Sequence, residues 1–227
     1  MSGVHSGHRE RMKEQFLNNG IDSFLDHQVL EMILFYTLPR IDTNPIAHDL
    51  IKRFGSLRAV FDAPVEELVK VKGITSNSAV LLKLIPEVTR YYSTQKATEK
   101  PIKSKEDIND YFKFLFVGET DEVVKVCILD DELKIQSCIT IEHGIPDSTP
   151  ISARKIAEVV FKAGASSFIL AHNHPNGTCV PSSADISVTR KLRNSLREIG
   201  ITMLDHVVVG ADTHVISMKA SGYFDAI

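Results

Sequence analysis

The chain has 227 residues, of which 43% are hydrophobic and 24% charged, a composition that fits one or two folded domains and excludes a disordered chain. Its net charge of −3 supplies no overall positive field that would hold a nucleic acid. No apolar stretch reaches the ~18 residues that cross a bilayer, and none follows the N-terminal charges as in a signal peptide, so we expect no membrane contact.

Residues 1–95 are predicted to form an all-helical domain. Apolar residues recur at helical spacing over 29–36 and again over 46–54, and prolines and glycines divide the run into short helices. A polar segment that ends at Pro101 follows, and we place a linker between two domains at residues 96–103.

Residues 71–79 resemble the turn of a helix-hairpin-helix motif, whose backbone N–H groups bind a nucleic-acid phosphate. The third glycine of that turn is replaced by Thr75, which restricts positive φ angles, and Glu66 and Glu67 dilute the charge of the nearby lysines. Two interpretations remain open: weak DNA contact through residues 66–83, or a helical packing module without affinity for DNA.

Residues 104–227 alternate between helical and strand-like patterns, which predicts a second, mixed domain. Asp130 and Asp131 separate the first two strands as a hairpin turn. The predicted helices lie at 104–116, 152–163 and 183–199, and the predicted strands lie at 123–129, 135–141, 168–172 and 206–209. The fold class predicted for the whole chain is therefore α/β (α+β), an all-helical domain followed by a mixed sheet.

Cysteine usage bears on the cellular compartment. The three cysteines, Cys127, Cys138 and Cys179, are an odd number and form no C-x-x-C pair. A small secreted domain held together by disulfides would show an even set. We therefore expect reduced thiols and a cytoplasmic protein.

Two histidines stand at i and i+2 near the end of a predicted strand. Side chains alternate along a strand, so His172 and His174 point to the same face and can form half of a zinc site. Asp185, in the first turn of the next helix, can return through the loop as a third ligand. An isolated H-x-H pair is more often ordinary histidine, and Ser182-x-x-Asp185 is also a helix-capping pattern. The two interpretations are compatible, because a first-turn carboxylate can serve both metal and helix.

The complete order of this stretch resembles the JAMM (JAB/MPN) metalloenzyme motif, which is H-x-H, seven residues, then S-x-x-D. The variant that continues into Pro175 resembles the bacterial RadC family in particular. Further segments that match the same family are 53–57, 66–68, 72–74 and 204–206. The resemblance implies a JAB/MPN domain with a cytidine-deaminase-like fold over residues 104–227. It also implies a Zn²⁺ ion held by His172, His174 and Asp185.

The JAMM pattern also needs an upstream glutamate. In RadC-like chains it opens the first strand of the domain, where this chain has Glu122, and Glu142 near the end of the next strand is the alternative. The resemblance implies that Glu122 is the general base and that Ser182 donates to the developing oxyanion. It gives Cys179 no role, and it leaves His206 either as a partner that orients a ligand or as a structural histidine.

One departure from the family pattern concerns the first helix after the hairpin. RadC-like chains usually carry His-Pro-Arg there, whereas this chain has Ser152-Ala153-Arg154. None of the replaced residues is a proposed ligand, so the change bears on the substrate groove rather than on the metal.

Two functions from different classes remain. The first is a zinc-dependent hydrolase of the metallopeptidase type that attacks an amide or isopeptide carbonyl of a protein or peptide-like substrate. The alternative is a DNA-associated repair protein whose metal site is structural or vestigial. A purely structural zinc site would prefer four protein ligands, which favours the hydrolase. A base deaminase is disfavoured, because the H-x-E and P-C-x-x-C elements are missing.

Overall fold

The apolar repeats in the first part of the chain form short amphipathic helices. The computed structural model describes residues 7–144 and 151–224, and the chain divides into two units, Met1–Val88 and Thr89–Ile227. The helices that begin in the first unit are α1 His8–Asn19, α2 Asp26–Leu34, α3 Asn44–Phe54, α4 Leu57–Asp62, α5 Val65–Leu68 and α6 Ser76–Thr98, with a 3₁₀ turn at Ile21–Ser23.

The core of the first unit is centred on the facing sides of α2 and α3. Leu30 and Leu34 of α2 and Ala47 and Leu50 of α3 are fully buried, each pair about one helical turn apart. Burial of one leucine side chain contributes roughly 1.5–3 kcal/mol. Helices of this length are marginal on their own, so this apolar contact is what holds them.

The turn between α5 and α6 contains Gly73 and Thr75. Gly73 has a φ of +95°, and a Cβ there would lie 2.6 Å from Cδ1 of Ile46, so both backbone and packing require glycine. Thr75 caps α6, because its Oγ1 accepts a hydrogen bond from the backbone N–H of Ser78 at 3.2 Å. The threonine that departs from the hairpin pattern therefore starts the following helix.

The boundary between the units falls within α6, which continues to Thr98, and α7 begins at Lys105. The linker predicted at residues 96–103 thus begins inside a helix, and the irregular segment covers 99–104. Residues 91–98 are polar but contain neither glycine nor proline. Nothing in that stretch ends a helix before Pro101.

The second unit is built on a five-stranded sheet in the order β2-β1-β3-β4-β5. Strands β3 and β4 are parallel, and the other neighbours are antiparallel. Its elements are α7 Lys105–Leu115, β1 Val123–Leu129, β2 Ile135–His143, α8 Ala153–Lys162, β3 Ser167–His174, α9 Ser183–Arg197, β4 Thr202–Gly210 and β5 Val215–Ser217. The predicted α+β class with a mixed sheet is confirmed.

Helices cover both faces of this sheet. All seven residues of β1 are buried, and they alternate between two apolar clusters. Val124 and its alternate neighbours pack with residues of α8 and α9, whereas Val123 and its alternate neighbours pack with residues of α7. Lys125 is the polar exception, and its Nζ donates to Oε1 of Glu119 at 2.7 Å. Within the described ranges, no helix combines the length and the apolar character needed to cross a bilayer.

Two of the three cysteines are paired. Cys127 of β1 and Cys138 of β2 lie directly opposite in the antiparallel ladder, with their Cα atoms 4.1 Å apart, and form a disulfide. The expectation of reduced thiols is therefore wrong for this pair and holds only for Cys179. The strand register brings the two residues together, and their separation of eleven residues in sequence carries no local signal of it.

Candidate metal centre

His172 and His174 lie at the end of β3, and Asp185 lies in the first turn of α9. The two imidazoles share one face of the strand, as alternation requires, and their Nε2 atoms are 3.0 Å apart. Oδ1 of Asp185 is 3.3 Å from Nε2 of His172, and Oδ2 is 3.7 Å from Nε2 of His174. The fold thus brings together the three residues that the sequence predicts as ligands.

The donor set suits zinc. One ligand atom from each of these three residues lies within 4.8 Å of the other two. Imidazole nitrogen and carboxylate oxygen are typical zinc ligands, and two histidines with one carboxylate occupy three of the four tetrahedral positions. Among the described residues, this is the cluster of histidine, cysteine and acidic side chains that could hold a metal ion.

Ser182 joins Asp185 in a capping box at the start of α9. The Asp185 backbone N–H donates to Oγ of Ser182 at 3.1 Å. In return, the Ser182 backbone N–H and hydroxyl donate to Oδ2 of Asp185 at 2.7 and 2.6 Å. The capping interpretation of this pattern is therefore confirmed. The cap holds the carboxylate against the histidines, so it is compatible with a ligand role.

Opposite charges perturb the acid–base properties of the centre. Burial alone would raise the pKa of Asp185, but hydrogen bonds with His172 and His174 outweigh it and hold this pKa well below its usual range. The hydrogen bond with Asp185 raises the pKa of His174, and the charge of Glu122 acts in the same direction. Asp185 therefore stays ionised, and its carboxylate can bind a cation.

The loop that follows β3 fixes the ring of His174. Nδ1 of His174 is 2.7 Å from the carbonyl oxygen of Thr178. A carbonyl only accepts, so Nδ1 carries a proton, and Nε2 of the neutral ring presents its lone pair to the centre. The loop is held in turn by the β4–β5 turn, because the Ala211 backbone N–H donates to the carbonyl of Gly177 at 3.0 Å.

Glu122 stands immediately before β1, at an open cleft of about 580 Å³ that also contains His174. Asn173, between the two histidines, points to the other face of β3. Its Oδ1 accepts from the Val123 backbone N–H at 2.8 Å, and its Nδ2 donates to the carbonyl of Asp121 at 3.0 Å. The middle residue of the H-x-H pattern thus holds the backbone on both sides of Glu122. This contact has no local signal in the sequence, because it joins residues fifty positions apart.

Glu142, the alternative glutamate, lies elsewhere. It pairs with Lys155 of α8, whose Nζ is 3.3 Å from Oε1 of Glu142. It is absent from the lining of the cleft that contains Glu122 and His174. This arrangement supports the choice of Glu122.

His206 is fully buried beside the centre. Its Nε2 lies 2.9 Å from Nδ1 of His172, and its Nδ1 lies 2.5 Å from Oγ1 of Thr189. Burial lowers the pKa of His206 well below its usual range, so its ring is neutral. The role of Thr189 was not predicted from the sequence, since a threonine inside a helix belongs to no recognisable motif. Its position four residues after Asp185 was the available signal, because that spacing shares a helix face.

Three further residues that the sequence singles out, Cys179, Ser152 and Arg154, have local structural explanations. Cys179 is partly buried in the loop after β3, and desolvation raises the pKa of its thiol. Ser152 caps α8 by accepting from the Lys155 backbone N–H at 3.3 Å. Arg154 donates to Oε1 of Glu158 at 2.9 Å on the exposed surface of α8. The Ser-Ala-Arg variant is thus a regular helix start.

Comparisons with known proteins agree with these observations. The family model of the RadC-like JAB domain matches residues 102–223. A relative from Fusobacterium nucleatum subsp. nucleatum, the UPF0758 protein FN0909, is 32% identical over 218 residues, which cover 92% of this chain and 94% of that protein. The resemblance first seen around the H-x-H pattern is confirmed. This chain belongs to the RadC family, and its second unit contains a RadC-like JAB domain.

Proposed function

We propose that this protein is a zinc-dependent hydrolase of the JAMM metallopeptidase type, which cleaves an amide or isopeptide bond of a protein or peptide-like substrate. The observation that carries the proposal is the convergence of two imidazole nitrogens and one carboxylate, of which the His174 ring lines an open cleft that also contains Glu122. Three protein ligands leave one tetrahedral position for water or substrate, as catalytic zinc sites require.

Each residue of the centre has a separate task in this proposal. His172, His174 and Asp185 would hold the ion, which when bound supplies a Lewis acid and lowers the pKa of a coordinated water. Glu122 would accept a proton in the cleft and return it to the leaving amine. Its placement by Asn173 supports this role, since a general base must be held within hydrogen-bond reach of the proton it takes.

Ser182 is proposed as a donor to the oxyanion that develops during cleavage. Its hydroxyl donates to Oδ2 of Asp185 in the capping box, at the edge of the metal centre. Rotation about its χ1 bond would redirect this donor, while the Ser182 backbone N–H continues to hold the Asp185 carboxylate. The capping contact therefore keeps the hydroxyl close to the place where a substrate carbonyl would bind.

Glu122→Gln separates catalysis from metal binding. The change removes the base but none of the proposed ligands, so zinc content should stay as in wild type while hydrolysis falls at least ~100-fold. The assay measures cleavage of a pooled library of fluorogenic peptides that includes lysine isopeptides.

The matched control for this experiment is Glu142→Gln, which removes a glutamate paired with Lys155 outside the cleft. It should retain both zinc and activity. If Glu142→Gln were inactive while Glu122→Gln stayed active, Glu122 would not be the base.

A further inference from the structure

Thr189, His206 and His172 form a buried chain of hydrogen bonds that begins at the backbone of Asp185. Oγ1 of Thr189 lies 2.6 Å from the carbonyl oxygen of Asp185 and 2.5 Å from Nδ1 of His206. Nε2 of His206 lies 2.9 Å from Nδ1 of His172. The three side chains belong to residues that are at most 2% exposed, so bulk water does not compete for these contacts.

The direction of each hydrogen bond follows from the first member of the chain. A carbonyl oxygen only accepts, so the Thr189 hydroxyl donates its single proton to Asp185. The hydroxyl oxygen then accepts from His206, which places the His206 ring proton on Nδ1. A neutral imidazole has one N–H, so Nε2 of His206 accepts from Nδ1–H of His172. When the His172 ring is neutral, its Nε2 is therefore left with a lone pair.

We propose that Thr189 and His206 are positioning residues that fix the tautomer of His172 and direct its Nε2 lone pair at the metal. That nitrogen lies 3.0 Å from Nε2 of His174 and 3.3 Å from Oδ1 of Asp185. This series of hydrogen bonds starts at the backbone carbonyl of Asp185, and its last member, His172, lies beside the carboxylate of the same residue. Asp185 thus supplies one ligand and, through its backbone, also orients His172. A histidine ligand whose second nitrogen is hydrogen-bonded binds metal more tightly.

A matched pair of variants at position 189 tests the role of the hydroxyl in the full-length protein. Thr189→Val keeps the shape but leaves the His206 N–H without an acceptor, so zinc affinity should fall by ~10- to 100-fold. Thr189→Ser keeps the hydroxyl and should bind zinc as wild type does. Affinity is measured by competition with a chromophoric chelator. A folded Thr189→Val protein with wild-type affinity would overturn the proposal.

Nuclear magnetic resonance of the ring nitrogens in the metal-free wild type gives a second readout. At a pH where both rings are neutral, His172 and His206 should carry their proton on Nδ1. A neutral His172 with its proton on Nε2 would refute the proposed series of hydrogen bonds. This measurement tests the proposed tautomers even if Thr189→Val does not fold. The inference rests on the proposed zinc site, but the two fail separately, since the tautomer is read without metal and the proposed function fails if the wild type binds no zinc.

Discussion

The imidazoles of His172 and His174 are each held by a contact on the nitrogen that faces away from the centre. His174 is bound to the carbonyl of Thr178 at 2.7 Å and His172 to His206 at 2.9 Å. The two remaining nitrogens face each other at 3.0 Å, beside the carboxylate of Asp185. Two lone pairs at that distance repel each other unless a proton or a metal ion lies between them. The side chains are therefore arranged for a positive ion.

The raised pKa of His174 predicts that zinc binding depends on pH near neutrality. A histidine whose folded-state pKa is raised stabilises the metal-free protein below its unfolded pKa of ~6.5, and this stabilisation is lost as pH rises through the raised value. Zinc competes with that proton, so its stabilising effect should grow over the same range. We expect zinc to raise the melting temperature more at pH 8 than at pH 6.

Scanning fluorimetry with excess zinc at the two pH values checks this expectation. Mg²⁺ prefers oxygen ligands and serves as the control, which should show no comparable pH dependence. Equal zinc-induced shifts at both pH values would count against His174 as a ligand.

Gly210, at the end of β4, lies directly against the loop that orients His174. A Cβ at this position would lie 2.8 Å from the backbone N of Cys179 and 3.2 Å from the carbonyl carbon of Thr178. Gly210→Ala should therefore destabilise the protein by ~1–3 kcal/mol through overpacking. It should also weaken zinc binding, because the carbonyl of Thr178 holds the ring of His174.

The control for Gly210→Ala is Gly177→Ala in the same loop. A Cβ at Gly177 would lie 3.6 Å from Cβ of His174, which is an ordinary contact. Denaturant unfolding compares the two variants. Equal free energies of unfolding for Gly210→Ala and wild type would show that the loop moves freely away from β4.

The three proposed ligands were predictable because they lie within one segment of fourteen residues (His172 to Asp185) that matches the spacing of the JAMM motif. The contacts that hold these ligands and Glu122 in place were not predictable. Asn173 acts on the backbone beside Glu122, and Thr189 acts on His206 across an element boundary. Such contacts depend on strand order and helix placement, which a single sequence does not encode locally.

Strands β1 to β4 were predicted from their apolar runs, and β1 matches its predicted bounds of Val123–Leu129. The short strand β5, Val215–Ser217, was missed, because three residues are too few for a periodic pattern. The disulfide between Cys127 and Cys138 was missed for a related reason. It depends on the register of β1 against β2, which the positions of the cysteines alone do not reveal.

The turn between α5 and α6 predicts weak DNA binding. Lys70 and Arg53 both pair with Glu67, and Nζ of Lys83 donates to the carbonyl of Phe61 at 2.6 Å. Non-specific affinity comes mainly from counterion release at phosphate contacts, so few available cations imply little binding. We expect the full-length protein to bind duplex DNA no tighter than ~10⁻⁵ M near physiological salt.

Fluorescence anisotropy at several salt concentrations measures this affinity. Thr75→Gly restores the glycine of the hairpin pattern and should leave binding unchanged, since Thr75 serves as a helix cap that glycine can replace at small cost. Submicromolar affinity with a steep salt slope, or tighter binding by Thr75→Gly, would favour the DNA-repair alternative.

All residues proposed for chemistry lie in the second unit, which also contains the segment matched by the RadC-like JAB domain. The relative from Fusobacterium nucleatum aligns over 92% of this chain, so its similarity extends to the helical unit as well. In the proposed hydrolase, the helical unit would serve to position a substrate or partner, while the sheet and α9 supply the metal centre.

Zinc content, determined by mass spectrometry on protein purified without chelator and without a histidine tag, tests the proposed metal centre most directly. We predict about one Zn²⁺ per chain for the wild type, because its three ligands form one tetrahedral site. Cys179→Ser should keep that zinc, since the thiol lies outside the ligand group, whereas His174→Ala should lose it. Full zinc occupancy in His174→Ala, or a wild type that binds no zinc even when it is supplied, would contradict the assignment of this site.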